Sequence, residues 1–230
     1  MSWPLAAKLV LGCCVQPVLF ALLLFGPVGT FAWPRAWILI AIVAVVTIVS
    51  VVVLAREDSG LLAERMKPPL QRGQPFADKV LVTVFLLEYL AAIAFVPVDV
   101  FELRLLPPPA PAVAALGLAL FLAGWWIVTA AMRANAFAAP VVKHQEERHQ
   151  RVVDAGPYAL VRHPMYAGAV LLFLGLPLWL GSTAGALVAL LPILTLAARI
   201  GIEERFLRRE LAGYDGYTRR VRWRLVPGVW

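Results

Sequence analysis

Charge is what this sequence has least of. Only 15% of its 230 residues are Asp, Glu, Lys or Arg, against 61% hydrophobic residues and a mean hydropathy of +0.80. That balance excludes a water-soluble domain. Cysteine is nearly missing as well: Cys13 and Cys14 stand side by side in the first apolar stretch, which gives neither a disulfide framework nor a metal-binding pattern. Histidine is scarce, and His144, Glu146, Glu147 and His149 do not form the His-Glu-x-x-His arrangement of a zinc helix. They read as a solvated face, with no metal expected. No internal repeat or low-complexity segment is visible. The net charge of +7 and pI near 9.9 do not indicate nucleic acid, because the cations flank apolar runs and suit anionic lipid headgroups.

What is present is a series of long uncharged runs. They hold 26 residues between Lys8 and Arg35, 20 between Arg35 and Arg56, 28 between Arg104 and Arg133, and 36 between Arg162 and Arg199. Each reaches the ~20 residues that cross hydrocarbon. A further 19 residues between Lys79 and Asp99 are interrupted only by Glu88. In lipid such segments must satisfy their own backbone, so they are helices. Leu11, Gly12 and Cys13 resemble a lipoprotein cleavage site, but Lys8 and the continuing apolar run favour a retained N-terminal helix.

Eighteen cations fall in three segments: five from Arg56 to Lys79, five from Arg133 to Arg162 and eight from Arg199 onward. The positive-inside rule places all three on the cytoplasmic face, with both termini. Four alternating helices meet the first two segments, so the 36-residue run must cross and return as a helical hairpin. Gly181, Ser182, Thr183 and Gly185 supply its turn, and Pro177 and Pro192 bend its arms. The first arm, from Ala167 to Leu180, measures about 21 Å, short for a full crossing, so the hairpin tilts or dips in. The expected fold is an all-α polytopic bundle of four membrane helices plus a C-terminal hairpin and cytoplasmic tail. It is read as one domain, with core helices over about 5–132 and loop, hairpin and tail over about 133–230.

Two polar regions bracket the hairpin and meet on one face. The run Gly156-Pro157-Tyr158-Ala159-Leu160-Val161-Arg162-His163-Pro164-Met165-Tyr166-Ala167-Gly168 crowds a guanidinium, an imidazole and two phenols where the hairpin begins. Pro164 suits a first helical turn, whose free N–H groups, with Arg162 beside them, would favour an anion. Equally, Arg162 would bind lipid phosphate, His163 would cap the helix, and Tyr158 and Tyr166 would anchor at the interface. In the second arm, Glu203 and Glu204 turn back toward the protein if the helix continues; pairing to Arg208 or Arg209 is the plainer alternative. Glu88 is expensive in lipid and by default a functional candidate, the plainer alternative being a protonated side chain hydrogen-bonded inside the bundle; it is left out of the site.

These residues resemble the integral membrane methyltransferases that include isoprenylcysteine carboxyl methyltransferases and phospholipid methyltransferases. The carriers are Asn135-Ala136-Phe137, Gly156-Pro157-Tyr158, Arg162-His163-Pro164-Met165-Tyr166-Ala167-Gly168 and Glu203-Glu204. The tail adds Tyr214, Tyr217 and Val221-Arg222-Trp223-Arg224-Leu225-Val226-Pro227-Gly228. The resemblance implies S-adenosylmethionine as methyl donor, held between the Arg-His-Pro segment, Pro164 included, and the glutamate pair. His163, Tyr166 and Gly168 would line its pocket, Tyr158 would lie nearby, and Glu203 and Glu204 would meet its amino group or ribose hydroxyls. Asn135, Arg162, Tyr217 and Arg224 are candidate acceptor contacts. In the eukaryotic pattern proline commonly follows the valine that is Val221 here; this chain has Arg222, which weakens transfer of acceptor identity. Val170, Leu171, Phe173 and Leu174 offer no polar contacts, so a lipophilic acceptor reaching the site from the bilayer is expected. A small acceptor such as a thiol stays open beside it, and the reacting group stays open between carboxylate, amine and thiol. A bacterial inner membrane is the expected location, with endoplasmic reticulum preserving the same logic. An NADPH-dependent sterol or isoprenoid reductase shares the Arg-His-Pro-x-Tyr segment and is the alternative enzyme; a membrane scaffold or transporter is the alternative outside enzymes.

Overall fold

The computed structural model describes residues 3–57, 59–71, 73–142 and 145–230. Nine α-helices follow in chain order among the described residues: α1 (Trp3–Phe25), α2 (Pro34–Glu57), α3 (Ser59–Arg65), α4 (Phe76–Val98), α5 (Pro111–Ala134), α6 (Pro164–Leu180), α7 (Thr183–Val188), α8 (Leu190–Glu210) and α9 (Tyr214–Arg220). No strand occurs among the described residues. Proline opens α2, α5 and α6, at a position where its missing N–H has no helical partner to lose. Among the described residues four helical segments are long and apolar enough to cross a membrane: Pro34–Arg56, Phe76–Leu103, Pro111–Ala134 and Thr183–Glu210. The apolar parts Leu9–Phe25 and Pro164–Leu180 are shorter. The protein is an integral membrane helix bundle. Its set of long spans differs from the expected four in two respects: the return arm of the hairpin ranks among them, and the first apolar stretch, described as Leu9–Phe25, does not.

The hairpin forms where expected. Gly181 takes φ +97°, a left-handed conformation that favours glycine, and its N–H closes α6 on Pro177 O and Leu178 O. Ser182 then caps α7 by accepting from Gly185 N at 2.7 Å, and its hydroxyl donates to Asp99 Oδ2 at 2.5 Å. Asp99 opens a π-helical turn, Asp99–Leu103, at the end of α4, and its Oδ1 accepts from Leu105 N at 3.0 Å. The tip also touches both lightly charged connections. Arg35 Nη1 donates to Trp179 O at 3.4 Å, and Thr183 Oγ1 donates to Pro107 O at 2.7 Å. The hairpin therefore runs the full depth of the bundle, from the basic end to the opposite one, instead of dipping part-way.

The tightest helix contact is α5 against antiparallel α6. Glycines seven residues apart on each helix meet in register: a Cβ on Gly124 would lie 2.5 Å from Gly168 O, and one on Gly117 would lie 2.9 Å from Gly175 O. Small residues at this spacing let two backbones approach where lipid supplies no hydrophobic drive. Polar side chains add glue elsewhere. Ser50 Oγ bonds Thr129 Oγ1 at 2.9 Å and accepts from Trp125 Nε1 at 3.0 Å, while Thr47 donates to Gln16 Oε1 at 3.1 Å. Glu88 leaves its buried Oε2 without a hydrogen-bond partner among the described residues.

The α5–α6 contact makes a direct prediction. Gly168→Ala, whose Cβ would stand 2.7 Å from Gly124 O, should destabilise the detergent-solubilised protein by about 1–3 kcal/mol. Gly201→Ala in α8, where nothing lies within 4 Å of the new Cβ, should leave stability equal or raise it by up to ~1 kcal/mol. Thermal unfolding of the two variants side by side is the check.

Candidate active site

At the basic end of the bundle the start of α6, the end of α8 and the tail converge on one carboxylate. Glu204, 4% exposed, accepts from Arg162 Nε at 2.7 Å and His163 Nε2 at 3.2 Å, both on Oε1. Its Oε2 accepts from Arg224 Nε at 3.3 Å. Arg162 spends its Nη1 on Val221 O at 2.9 Å and Arg222 O at 2.6 Å. The backbone completes the seam, with Arg162 N on Trp223 O and His163 N on Arg224 O, each at 2.9 Å. Arg162 and His163 are both buried. Neither waits at the helix start for a free anion, because each is already committed to Glu204. His163 occupies the N-cap position of α6 without capping it through its side chain.

Glu203 behaves differently. Its side chain is 26% exposed, and Oε2 accepts from Tyr166 Oη at 2.6 Å while His163 Nδ1 stands 3.9 Å away. The His163 and Tyr166 rings stack with centroids 5.5 Å apart and an interplanar angle of 8°. Glu203 faces a polar cavity of about 120 Å3, walled by Asn135, Tyr158, Arg162, His163, Tyr166 and Tyr217 among others, and roofed by parts of the 137–153 loop. Glu204, Pro164, Gly168 and Arg224 do not line it. Gly168 is held instead by the α5 backbone, Pro164 starts α6, and Arg224 covers Glu204 with its guanidinium over the Trp230 ring. The expected juxtaposition of the Arg-His-Pro segment with the glutamate pair is present, but the two glutamates divide their roles.

The tyrosines are fixed by specific bonds rather than floating at an interface. Tyr217 is 2% exposed and donates its hydroxyl to Tyr158 O at 2.8 Å. Burial raises its pKa, so this phenol keeps its proton. Burial likewise pushes Tyr158 up to about 12, partly offset by a hydrogen bond to Asn135. Asn135 ends α5 and accepts Phe137 N on Oδ1 at 2.9 Å. Gln145 organises the roof: it donates to Phe137 O at 2.8 Å and accepts from Arg148 Nη1 at 2.8 Å. Of the residues weighed for a metal, His144 and the side chain of Glu146 lie outside the described residues.

A second buried ion pair, not foreseen from sequence, braces the same end. Asp78 of α4, fully buried, accepts from Arg199 Nε on Oδ1 at 2.7 Å, and from Gln74 Nε2 at 2.7 Å and Val142 N at 3.0 Å on Oδ2. Arg199 Nη2 holds Pro140 O at 2.8 Å, and its guanidinium lies 5.8 Å from the Tyr166 ring centroid. An acid and a base at opposite edges of two apolar runs were the available signal. Read singly, Arg199 had marked only the boundary of a span.

Beneath the polar cavity lies a larger, mostly apolar one of about 330 Å3 inside the helix bundle. The two share Met165, Tyr166 and Ala139 as a common wall. Phe85, Tyr89, Phe173 and Leu196 line the body of the larger cavity, and Arg65 and Arg199 stand at its end nearest Tyr166. Of the hairpin residues expected to face a lipophile, Phe173 does so; Val170, Leu171 and Leu174 do not line it. A polar chamber with one part-free carboxylate thus abuts an intramembrane chamber of apolar character.

Residues 112–212 match the phospholipid methyltransferase family. The resemblance to membrane methyltransferases read from the hairpin motifs therefore holds, and the matched region reaches further back, through α5. It stops at residue 212, before Tyr217 and Arg224. No curated protein matches the chain.

The division of labour between the glutamates can be tested without any ligand. Glu204→Ala should cost about 3–5 kcal/mol of stability, because it strands the buried Arg162 guanidinium. Glu203→Ala should cost about 1–2 kcal/mol, the loss of the Tyr166 hydrogen bond. Chemical denaturation of both variants in one detergent measures the difference.

Proposed function

We propose that this protein is an S-adenosylmethionine-dependent methyltransferase acting on a lipophilic acceptor at the cytoplasmic face of the membrane. The observation that carries this reading is the shared wall: Met165 and Tyr166 separate a polar chamber, faced by Glu203, from an apolar one within the bundle. The family match supports methyl transfer, and the chamber chemistry supports the donor. Glu203 offers a carboxylate to a cationic ligand, Tyr158 and Tyr166 offer aromatic faces, and the Asn135 amide offers hydrogen bonds. When bound, S-adenosylmethionine supplies a sulfonium methyl that an acceptor lone pair takes in line, the C–S bonding pair remaining on sulfur. The cavity of about 120 Å3 is below the ~300 Å3 typical of small-molecule sites and is partly open, so the donor would fill it and extend beyond it.

The chain's own residues then hold and orient. Glu204, with Arg162, His163 and Arg224, fixes the start of α6 relative to α8. That fixation holds Tyr166 and Glu203 at the boundary between the chambers. Keeping two reactants in attack geometry is worth of order 7–11 kcal/mol in favourable systems, and a chamber poor in water favours a step in which opposite charges vanish. An acceptor reaching the wall from the bilayer keeps its tail in the apolar chamber, where each buried methylene contributes roughly 0.8 kcal/mol.

Calorimetry with S-adenosylmethionine and NADPH tests the donor. S-Adenosylmethionine should bind, and Glu203→Gln should weaken it by about tenfold or more; NADPH binding in its place would support the reductase reading. An acceptor series with one head and lengthening alkyl chains should gain about fourfold in kcat/KM per methylene, and a flat series would defeat lateral access. Cysteines placed at Gln71, Gln150 and Asp215 should label together from the cytoplasm, with Pro109 labelling from the other side.

A further inference from the structure

Of the arginines that line the two chambers, Arg162 is neutralised by Glu204 and Arg199 by Asp78, while Arg151 is exposed on the loop. Arg65, the last residue of α3, is the exception. Its hydrogen bond among the described residues is from Nη1 to the backbone oxygen of Ala138 at 2.9 Å, and no described carboxylate lies within ion-pair distance of it. The neighbouring Glu64 turns its carboxylate to Lys67 at 2.5 Å. Arg65 nevertheless lines the apolar chamber, alongside Tyr166. Burial lowers its pKa, and the Tyr158 and Tyr166 phenols are near enough to act on it electrostatically. A part-buried guanidinium with one neutral partner gains most from an arriving anion. The chamber it faces runs beside α6 from Tyr166 to Pro177, a rise of roughly 16 Å, and its body is apolar. Cation at one end and apolar lining along the rest describe the complement of an amphiphile with an anionic head.

We infer that Arg65 is the head-group residue of the acceptor site, and that the acceptor is an anionic amphiphile whose carboxylate or phosphate pairs with Arg65 while its chain fills the chamber between α4 and α6. This rests on the methyltransferase reading for the word acceptor; the binding site itself does not. Arg65 lies outside the family-matched residues 112–212, so acceptor choice is set by a part of the chain separate from the matched core. The guanidinium offers two remaining edges of N–H donors to a planar carboxylate or a phosphate, whereas an amine head alone is repelled. A neutral head of the same chain length forgoes the charge pairing and is bound by its tail only.

The test uses the full chain in nanodiscs of zwitterionic lipid, with dodecanoate, dodecyl phosphate and 1-dodecanol as ligands, and S-adenosylmethionine measured separately. Arg65→Gln should weaken dodecanoate, dodecyl phosphate or both by about tenfold or more, leave 1-dodecanol within about twofold, and leave S-adenosylmethionine unchanged. Arg65→Lys should recover part of the lost affinity, which separates charge from a collapse of the helix packing. Which anion suffers more identifies the head as carboxylate or phosphate. An equal loss for all three ligands would make Arg65 a packing residue and overturn the inference. So would weakened S-adenosylmethionine binding, which would assign Arg65 to the donor's own carboxylate. A wild-type protein that binds the two anions and no S-adenosylmethionine would leave the Arg65 site standing and remove the methyltransferase reading.

Discussion

One buried carboxylate holds this end of the molecule together. Glu204 accepts from Arg162, His163 and Arg224, groups that belong to the start of α6 and to the tail beyond α9. A lone charge in that setting would be costly, and removing any one partner leaves the others uncompensated. The network therefore has a single good arrangement. It is that arrangement which sets the angle between the two arms of the hairpin, presents Glu203 and Tyr166 to the polar chamber, and clamps the tail backbone against residues 162 and 163.

The second anchor, Asp78 with Arg199, plays the same part for the loop that roofs the chamber. Asp78 reaches Val142 N and Arg199 reaches Pro140 O, so one ion pair ties α4, α8 and the loop into one unit. Both anchors sit where the bundle meets water. The deeper bundle relies on neutral hydrogen bonds such as Ser50 with Thr129 and Trp125, and on close packing. That distribution follows from the solvent: in hydrocarbon an unpaired charge has nothing to turn to, whereas a hydroxyl needs a single partner.

Much of this was legible in the order of residues. Run lengths and the grouping of cations lead to the spans and the hairpin, because both depend on hydrophobicity and charge, which are local properties. The meeting of Arg162-His163 with Glu203-Glu204 follows from that topology. What local pattern does not carry is choice among partners. Asp78 and Arg199 are 121 positions apart, and nothing near either names the other. The glutamates look alike in sequence, yet one helical step of 100° turns Glu204 into the ion network and Glu203 into the chamber. Gly168 was read as a pocket residue from its motif, but the reason for its lack of a side chain is the α5 backbone opposite, visible only once the two helices are paired. The full reach of the hairpin was hidden because arm length alone omits the Pro164–Met165–Tyr166 turn and the cap at Gly181.

The glycine contacts between α5 and α6 carry a mechanical corollary. Two helices pressed backbone to backbone at Gly117, Gly124, Gly168 and Gly175 have no compressible side chains between them and cannot slide without collision. They form the stationary jaw of a vice whose opening is the apolar chamber. The facing jaw, α4 with α8, touches it through long aromatic side chains such as Phe85 and Tyr89 against Phe173, which can change rotamer at modest cost. Any widening of the chamber must come from that side, so its girth is written in the aromatic residues of α4, and its fixed wall in the glycines of α5 and α6.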